Sequence, residues 1–380
     1  MIGRFVGILL VLAALCGGGG GMGVCPAQEA SRFQTVQGGC NLAFPEDHGP
    51  HPGFRSEWWY YTGNVRSADG RPFGYQVTIF RYQTGPLGET RQWPDPASAW
   101  RTQQIFIAHA AVSDIDKDVH YQAQTAAREA LQMAGAGHQK KQAIIFVGNY
   151  SIAIGPGQHR LRAPAPDFGL DLRLEPQKQL VLHGKRGYSR KGSTPAKASC
   201  YYSYTRMSTL GTVTIHGQTL PVTGLSWMDH EFSTAPLEAG LVGWDWFSVQ
   251  LENNTELMMY FLRQDDGRYH SASSGTFVDA AGNLTSLTRA DIEIESLKTW
   301  QSPYSKGRYP SAWRVDIAKL GLSLNVEAQA ANQEMRTRQT TGIVYWEGSV
   351  KARGTLDGQS IRGEGYVELT GYAAPFKAPL

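Results

Sequence analysis

From about residue 33 onward, apolar and polar positions alternate in short runs separated by turn residues, and this pattern continues to the C-terminus. Phe73-Gly74-Tyr75-Gln76-Val77-Thr78-Ile79-Phe80, Leu257-Met258-Met259-Tyr260-Phe261-Leu262 and Tyr366-Val367-Glu368-Leu369 are examples. Runs this short, bounded by Asp-Gly, Asn-Asn and Gly-Asn, predict antiparallel strands joined as hairpins. One stretch has a different composition: Gln122–Ala134 is rich in Ala, Gln and Glu, which predicts a helix ended by Gly135. Asp291–Trp300 fits either a strand or a short helix.

A weak internal repeat organises the strands. Glu57-Trp58-Trp59-Tyr60-Tyr61, a turn at Asp69-Gly70 and a strand closing on Phe80-Arg81 are echoed by Trp244-Asp245-Trp246-Phe247, a turn at Asn253-Asn254 and a strand closing on Leu262-Arg263. The echo predicts duplicated barrels meeting near Phe232–Ala239, with an N-terminal domain over 38–232 and a C-terminal domain over 233–380. A chain of 380 residues is long enough for two such cores. Closed barrels of about eight strands hold one small ligand.

Composition supports the strand reading, with 18% charged residues, 43 Gly, 17 Tyr and 10 Trp. The formal charge of +3 comes without a basic block, which argues against a nucleic-acid partner. Arg4 followed by the apolar run Phe5–Leu15 has the form of a secretory leader and is too short to span a membrane. Cys25-Pro26-Ala27 before Gln28 is an acceptable cleavage site, so residues 1–27 are expected to be removed and the product exported to the periplasm or beyond. Lipoprotein anchoring at Cys16 is the less favoured alternative, because Leu15 spoils the residue before that cysteine. Cys40 and Cys200 then remain. In an oxidising compartment they could pair, or they could stay separate buried thiols.

Several further stretches, taken in order, carry a resemblance. They are Phe44-Pro45-Glu46-Asp47-His48-Gly49-Pro50-His51, Glu57-Trp58-Trp59-Tyr60-Tyr61-Thr62-Gly63, Ala108-His109-Ala110-Ala111-Val112-Ser113-Asp114, and Lys191-Gly192. Tyr201-Tyr202-Ser203-Tyr204-Thr205-Arg206-Met207, Ser226-Trp227-Met228-Asp229-His230-Glu231, Gly243-Trp244-Asp245-Trp246-Phe247, Tyr309-Pro310-Ser311-Ala312-Trp313 and Gly365-Tyr366-Val367-Glu368-Leu369-Thr370-Gly371-Tyr372 follow. Together they resemble the AttH and carotenoid hydratase family across nearly the whole mature chain. Ile144–Tyr150 departs from the pattern where tryptophans are expected. The resemblance implies an all-β fold of two lipocalin-like antiparallel β-barrels in tandem. It also implies handling of a hydrophobic, isoprenoid or lipid-like molecule and, in the characterised enzymes, addition of water to an isoprenoid alkene without a cofactor.

Such a hydration needs a proton donor, a group that stabilises a carbocation, and controlled access of water. On a regular strand Asp245 shares a face with Phe247, Val249 and Leu251, and an acid in an apolar row tends to stay protonated. The alternative is a rim aspartate bonded to a turn. In Trp227-Met228-Asp229-His230-Glu231, His230 could move a proton while Asp229 or Glu231 orients it, although alternation separates His230 from both acids unless the strand bulges. The alternative is a polar staple between domains. Trp227, Trp244, Trp246, Tyr260, Trp59 and Tyr61 are the candidate pocket wall, where aromatic faces could stabilise a cation or could simply be core. Arg81 and Arg263 are expected to plug barrel ends or pair with acids. The irregular spacing of His48, His51 and His109 argues against a metal site, and neither a metal nor another cofactor is expected. No Gly-x-Ser-x-Gly elbow is present. The favoured expectation is a hydrophobe-binding hydratase. The second is a noncatalytic carrier or a periplasmic partner of an ABC-type membrane export system.

Overall fold

The computed structural model describes residues 33–86 and 98–377. The expected leader at 1–27, with Cys16 and the cleavage site, lies outside these residues. In chain order the first sheet is built from β1 (Ser56–Ser67), β2 (Pro72–Gln83), β3 (Gln104–Asp114), β4 (Val119–Arg128), β5 (Ala134–Gln139), β6 (Gln142–Val147) and β7 (Tyr150–Gly155). It continues with β8 (Gln158–Pro164), β9 (Phe168–Pro176), β10 (Val181–Leu182), β11 (Tyr188–Arg190), β12 (Ala198–Ile215) and β13 (Gln218–Ser233). The second sheet holds β14 (Leu241–Leu251), β15 (Glu256–Gln264), β16 (Ser274–Val278), β17 (Leu284–Thr288) and β18 (Glu293–Gln301). To these it adds β19 (Arg308–Ile317), β20 (Leu322–Ala328), β21 (Glu334–Arg336), β22 (Val344–Leu356) and β23 (Gln359–Thr370). Every pairing is antiparallel. Among the described residues no helix is long and apolar enough to cross a membrane.

Both sheets curl around an apolar interior, giving the expected lipocalin-type barrels. Alternation makes this work: β8 reads exposed-buried along its whole length, so one face enters the core and the other meets water. Val77, Ile79, Ile145, Ile152, Leu161 and Leu172 fill the first barrel, and Phe247, Val249, Phe261, Trp313, Val315 and Val367 fill the second. Full burial of each such side chain contributes about 1.5–3 kcal/mol. The repeat is visible in the topology. In each sheet the first strand lies between the second and the last, in the orders β2-β1-β13 and β15-β14-β23. Gly70 and Asn254 take positive φ angles of 88° and 63° at the two predicted hairpin turns.

The expected helix over Gln122–Ala134 is not formed, and these residues instead make β4, a turn and the start of β5. Tertiary partners override the helical composition. β4 pairs along its length with β3, and the Gln122 and Gln124 amides bond the backbone of β21 and its continuation at Glu334, Arg336 and Gln339. Two glutamines thus join one barrel to the other as a ladder would. Asp291–Trp300 resolves into a short 3-10 turn at Arg289–Asp291 followed by β18. Cys40 and Cys200 form a disulfide with Cα atoms 5.8 Å apart, tying the segment before β1 to β12.

The barrels meet face to face, with the outer faces of β1, β2, β12 and β13 against those of β14, β22 and β23. A methyl group on Gly74 would stand 2.7 Å from Ser349 Cβ, so glycine is what permits this close approach. Gln250 Nε2 donates across the seam to the carbonyls of Thr205 at 2.8 Å and Ser226 at 2.9 Å.

Candidate functional site

Strand period dictates what each element presents to the seam. β13 directs Trp227, Asp229 and Glu231 there, β12 adds Tyr201 and Ser203, and β14 adds Trp244 and Trp246. β1 contributes Trp58 and Tyr60, β15 contributes Met258 and Tyr260, and β23 contributes Tyr366. Leu237, from the connection between the barrels, and Leu241, the first residue of β14, pack against this aromatic set, and Trp58, Trp244 and Leu237 are only partly covered.

Acids lie among these rings. Asp229 Oδ1 accepts from Ser203 Oγ and from Trp227 Nε1 at 2.7 Å, while Oδ2 accepts from the Tyr201 hydroxyl at 2.7 Å. That hydroxyl accepts in turn from Trp246 Nε1 at 3.0 Å, which links the two barrels. Burial pushes the Asp229 carboxyl up to about 7 despite its three donors, with the charge of Glu231 adding to the rise. Glu368, partly buried on β23, is likewise pushed up to about 7 by desolvation, against hydrogen bonds from Thr370 and Trp244. Glu347, on the adjacent β22, is raised well above the carboxylate range by burial first and by Glu368 second. Among the described residues its Oε1, the Tyr60 hydroxyl and the Tyr366 hydroxyl are buried without a well-formed hydrogen bond, although Tyr60 lies close enough to Glu347 to act against the rise. Glu231 accepts from Ser199 Oγ and pairs with Lys191 at 3.1 Å, and the Lys191 ammonium lies 3.9 Å from the Tyr260 ring centroid and 4.9 Å from that of Tyr201. Burial opposes the charge of Lys191, yet Glu231 and its neighbours hold its pKa above the ordinary value.

His230 points the other way, into the end of the first barrel. Its Nε2 bonds Glu57 Oε1 at 2.8 Å, its Nδ1 bonds the Tyr202 hydroxyl at 2.8 Å, and Trp59 stacks on its ring. Burial lowers its pKa against the pull of Glu57. Tyr61 faces the same interior and bonds His159 Nδ1 at 2.8 Å. Glu57 is wholly buried and also receives Arg81 Nε at 2.7 Å, the acid pairing expected for that arginine. Desolvation opposes its charge, but His230, His51 and Arg81 hold its pKa well below the usual range.

Asp245 lies in a third place. It does share the face of Phe247, Val249 and Leu251, inside the second barrel, and there it meets Arg263 Nε and the hydroxyls of Tyr269 and Tyr372, each at 3.0 Å. Burial raises its pKa, and Arg263 acts against that rise. The sequence-derived candidates therefore divide three ways. Asp229, Glu231, Trp227, Trp244, Trp246 and Tyr260 come together at the seam; His230, Trp59 and Tyr61 line the first barrel; Asp245 belongs to the second. Glu347, Glu368, Tyr201 and Lys191 were not among the site candidates drawn from sequence. Alternation with apolar neighbours marks Glu347, Glu368 and Tyr201 as facing away from a barrel interior, but only the packing of the barrels buries that face, and Lys191 lies just past β11, outside any strand.

Two tandem lipocalin-type barrels joined through an acid-bearing aromatic seam define the structural class. The chain belongs to the AttH-like family, whose model matches residues 35–372. It is similar to an AttH protein from Nitrosomonas europaea, with 32% identity, coverage of 89% of this chain and 99% of that one, and a TM-score of 0.79. Kievitone hydratase from Nectria haematococca shares the fold at 15% identity, with 91% and 98% of the two chains covered and a TM-score of 0.66. CghA does so at 12% identity, 91% and 98% coverage and a TM-score of 0.56. No curated protein in the comparison matches the chain.

Proposed function

We propose that this protein binds a hydrophobic, isoprenoid or lipid-like molecule at the seam and adds water to one of its alkenes by acid catalysis. The observation that carries the reading is a buried carboxyl, Asp229, whose pKa lies near 7 among Trp227, Trp246 and Tyr201. An acid that is half protonated near neutrality can donate a proton and take one back, which is the best compromise for general acid–base work. In the proposed step the Asp229 proton passes to one alkene carbon and leaves a carbocation on the other. The face of Trp246 stabilises that cation. Water then adds to it, and the proton lost from the oxygen returns to the carboxylate, so the acid is regenerated. Glu347 Oε1, Tyr60 and Tyr366, which make no well-formed hydrogen bond among the described residues, supply polar contacts for water or for an oxygen on the ligand. Entry is at the edge formed by Trp58, Trp244 and Leu237.

The Cys40–Cys200 disulfide supports an oxidising compartment, and hence export with a mature chain starting near Gln28. N-terminal mass determination tests this, and a diacylated product beginning at Cys16 would replace it. The function is tested by mass spectrometry of ligands extracted from native protein, followed by reaction of the alkene in isotopically labelled water. Native protein should incorporate oxygen with no added metal or nucleotide. Asp229→Asn should retain binding and lose on the order of 100-fold or more in rate. Tight binding with no turnover by the native protein would instead establish the carrier reading, in which the seam holds cargo for a membrane export partner.

A further inference from the structure

The end of the first barrel carries a second constellation, separate from the seam. His51 lies on the segment that leads into β1, Glu57 on β1 itself and His230 on β13, and β1 and β13 are neighbouring strands with Trp59 opposite His230. His51 Nδ1 is 2.6 Å and His230 Nε2 is 2.8 Å from the same atom, Glu57 Oε1, and the three atoms lie within 4.8 Å of one another. We propose that these three atoms form a binding site for one divalent transition-metal ion of the zinc type.

Three features support a site over a simple hydrogen-bonded knot. The donor set of two imidazoles and one carboxylate is the set that binds zinc-type ions with a coordination position left open. Each imidazole is also held from behind by its other nitrogen: His51 Nε2 by Asp47 Oδ1 at 3.0 Å, and His230 Nδ1 by the Tyr202 hydroxyl at 2.8 Å. Such outer partners fix each ring's orientation, and an ion would take the place of the proton that each inner nitrogen now shares with Glu57 Oε1. Rigidity is supplied by stacking, with His51 lying 3.6 Å over Phe232 and His230 4.8 Å from Trp59, centroid to centroid.

The arrangement also sets limits. Ligand bonds of about 2.0–2.1 Å at tetrahedral angles put donor atoms about 3.3 Å apart, so the two nitrogens must each draw back from Glu57 by a few tenths of an ångström to roughly 0.7 Å. His51, on the segment before β1 and on no strand, takes most of this shift by sliding over the Phe232 ring. Arg81 occupies only Glu57 Oε2, at 2.7 Å, which leaves Oε1 available and makes the carboxylate a single-oxygen ligand. The guanidinium charge repels a cation, but Asp47 and Glu57 together outweigh it, and this balance favours a moderately held ion over a very tight one.

The test is titration of purified, metal-stripped full-length protein with Zn(II), followed by calorimetry, and with Co(II), followed by visible absorption and NMR. One equivalent of Zn(II) should bind saturably. Co(II) should give visible bands of a low-coordinate site and two hyperfine-shifted exchangeable imidazole N–H protons, one from His51 and one from His230. Asp47→Asn should weaken Zn(II) by about 10–100-fold, and His51→Ala, at a part-exposed position outside the barrel wall, should weaken it further. Failure of the folded native protein to bind either ion, or Zn(II) binding undiminished in His51→Ala, overturns the proposal. The Co(II) spectrum of native protein decides the ligands even where a variant fails to fold, because two histidine N–H signals support the site and their absence refutes it.

Discussion

Replacing Asp229 by Asn gives a direct reading of the energy stored at the seam. Burial raises this carboxyl from 3.8 to about 7 in the folded protein. Between those values the folded state therefore holds a proton that the unfolded state has lost, and stability must fall as pH rises from about 4 to about 7. At 1.36 kcal/mol per pH unit the loss amounts to about 4 kcal/mol, which then stays constant at higher pH. Asparagine copies the shape of the neutral acid. Its oxygen can keep the donors Ser203 and Trp227, and its amide can donate to the Tyr201 oxygen that now serves Oδ2. Urea unfolding of both proteins should be measured from pH 4 to pH 8, with m-values checked for equality so that the midpoints report stability alone. Near pH 4 the two should agree to within about 1 kcal/mol, the scale of a rearranged hydrogen bond. By pH 8 the variant should be the more stable by several kcal/mol. Parallel profiles would show that Asp229 is ionised throughout, and would remove the protonated acid on which the hydration mechanism depends.

Arg81→Met should cost about 3–5 kcal/mol in urea unfolding, because it leaves the Glu57 carboxylate buried without the cation 2.7 Å away. Phe247→Ala opens a cavity in the second barrel beside Trp313 and Phe261 and should cost about 3–5 kcal/mol by the same measurement. Cys40→Ser removes the link to Cys200 across 160 residues and should lower stability by about 2–4 kcal/mol, a difference that disappears when both proteins are compared under reducing conditions. Trp246→Phe keeps an aromatic ring but removes the indole donor to the Tyr201 hydroxyl and leaves a small void, so it should cost about 1–3 kcal/mol and alter ligand affinity at the seam; no change in affinity would place the ligand elsewhere.

Local pattern was enough to establish most of the strands, the turns at Gly70 and Asn254, and the faces of individual residues. A period of two places Trp244 and Trp246 opposite Asp245, and His230 opposite Asp229 and Glu231, whatever the rest of the chain does. The pairing of Arg81 and Arg263 with acids was legible for the same reason, since each arginine closes a hairpin whose first strand brings an acid to the same barrel end. What a face meets is a different matter. Gln122–Ala134 carries helix-forming residues, and it became strand because β3 and the backbone near β21 offered partners that no local window contains. The chemistry of the seam is non-local in the same way. Asp229 and Glu368 are far apart in sequence, and their high pKa values come from water being excluded when one barrel's outer face covers the other's. His51, Glu57 and His230 converge only because β1 pairs with β13 and the disulfide-tied segment returns over that end. Side-chain direction is a property of the strand and can be read from sequence, whereas desolvation and convergence are properties of the packed molecule and were decided by tertiary structure alone.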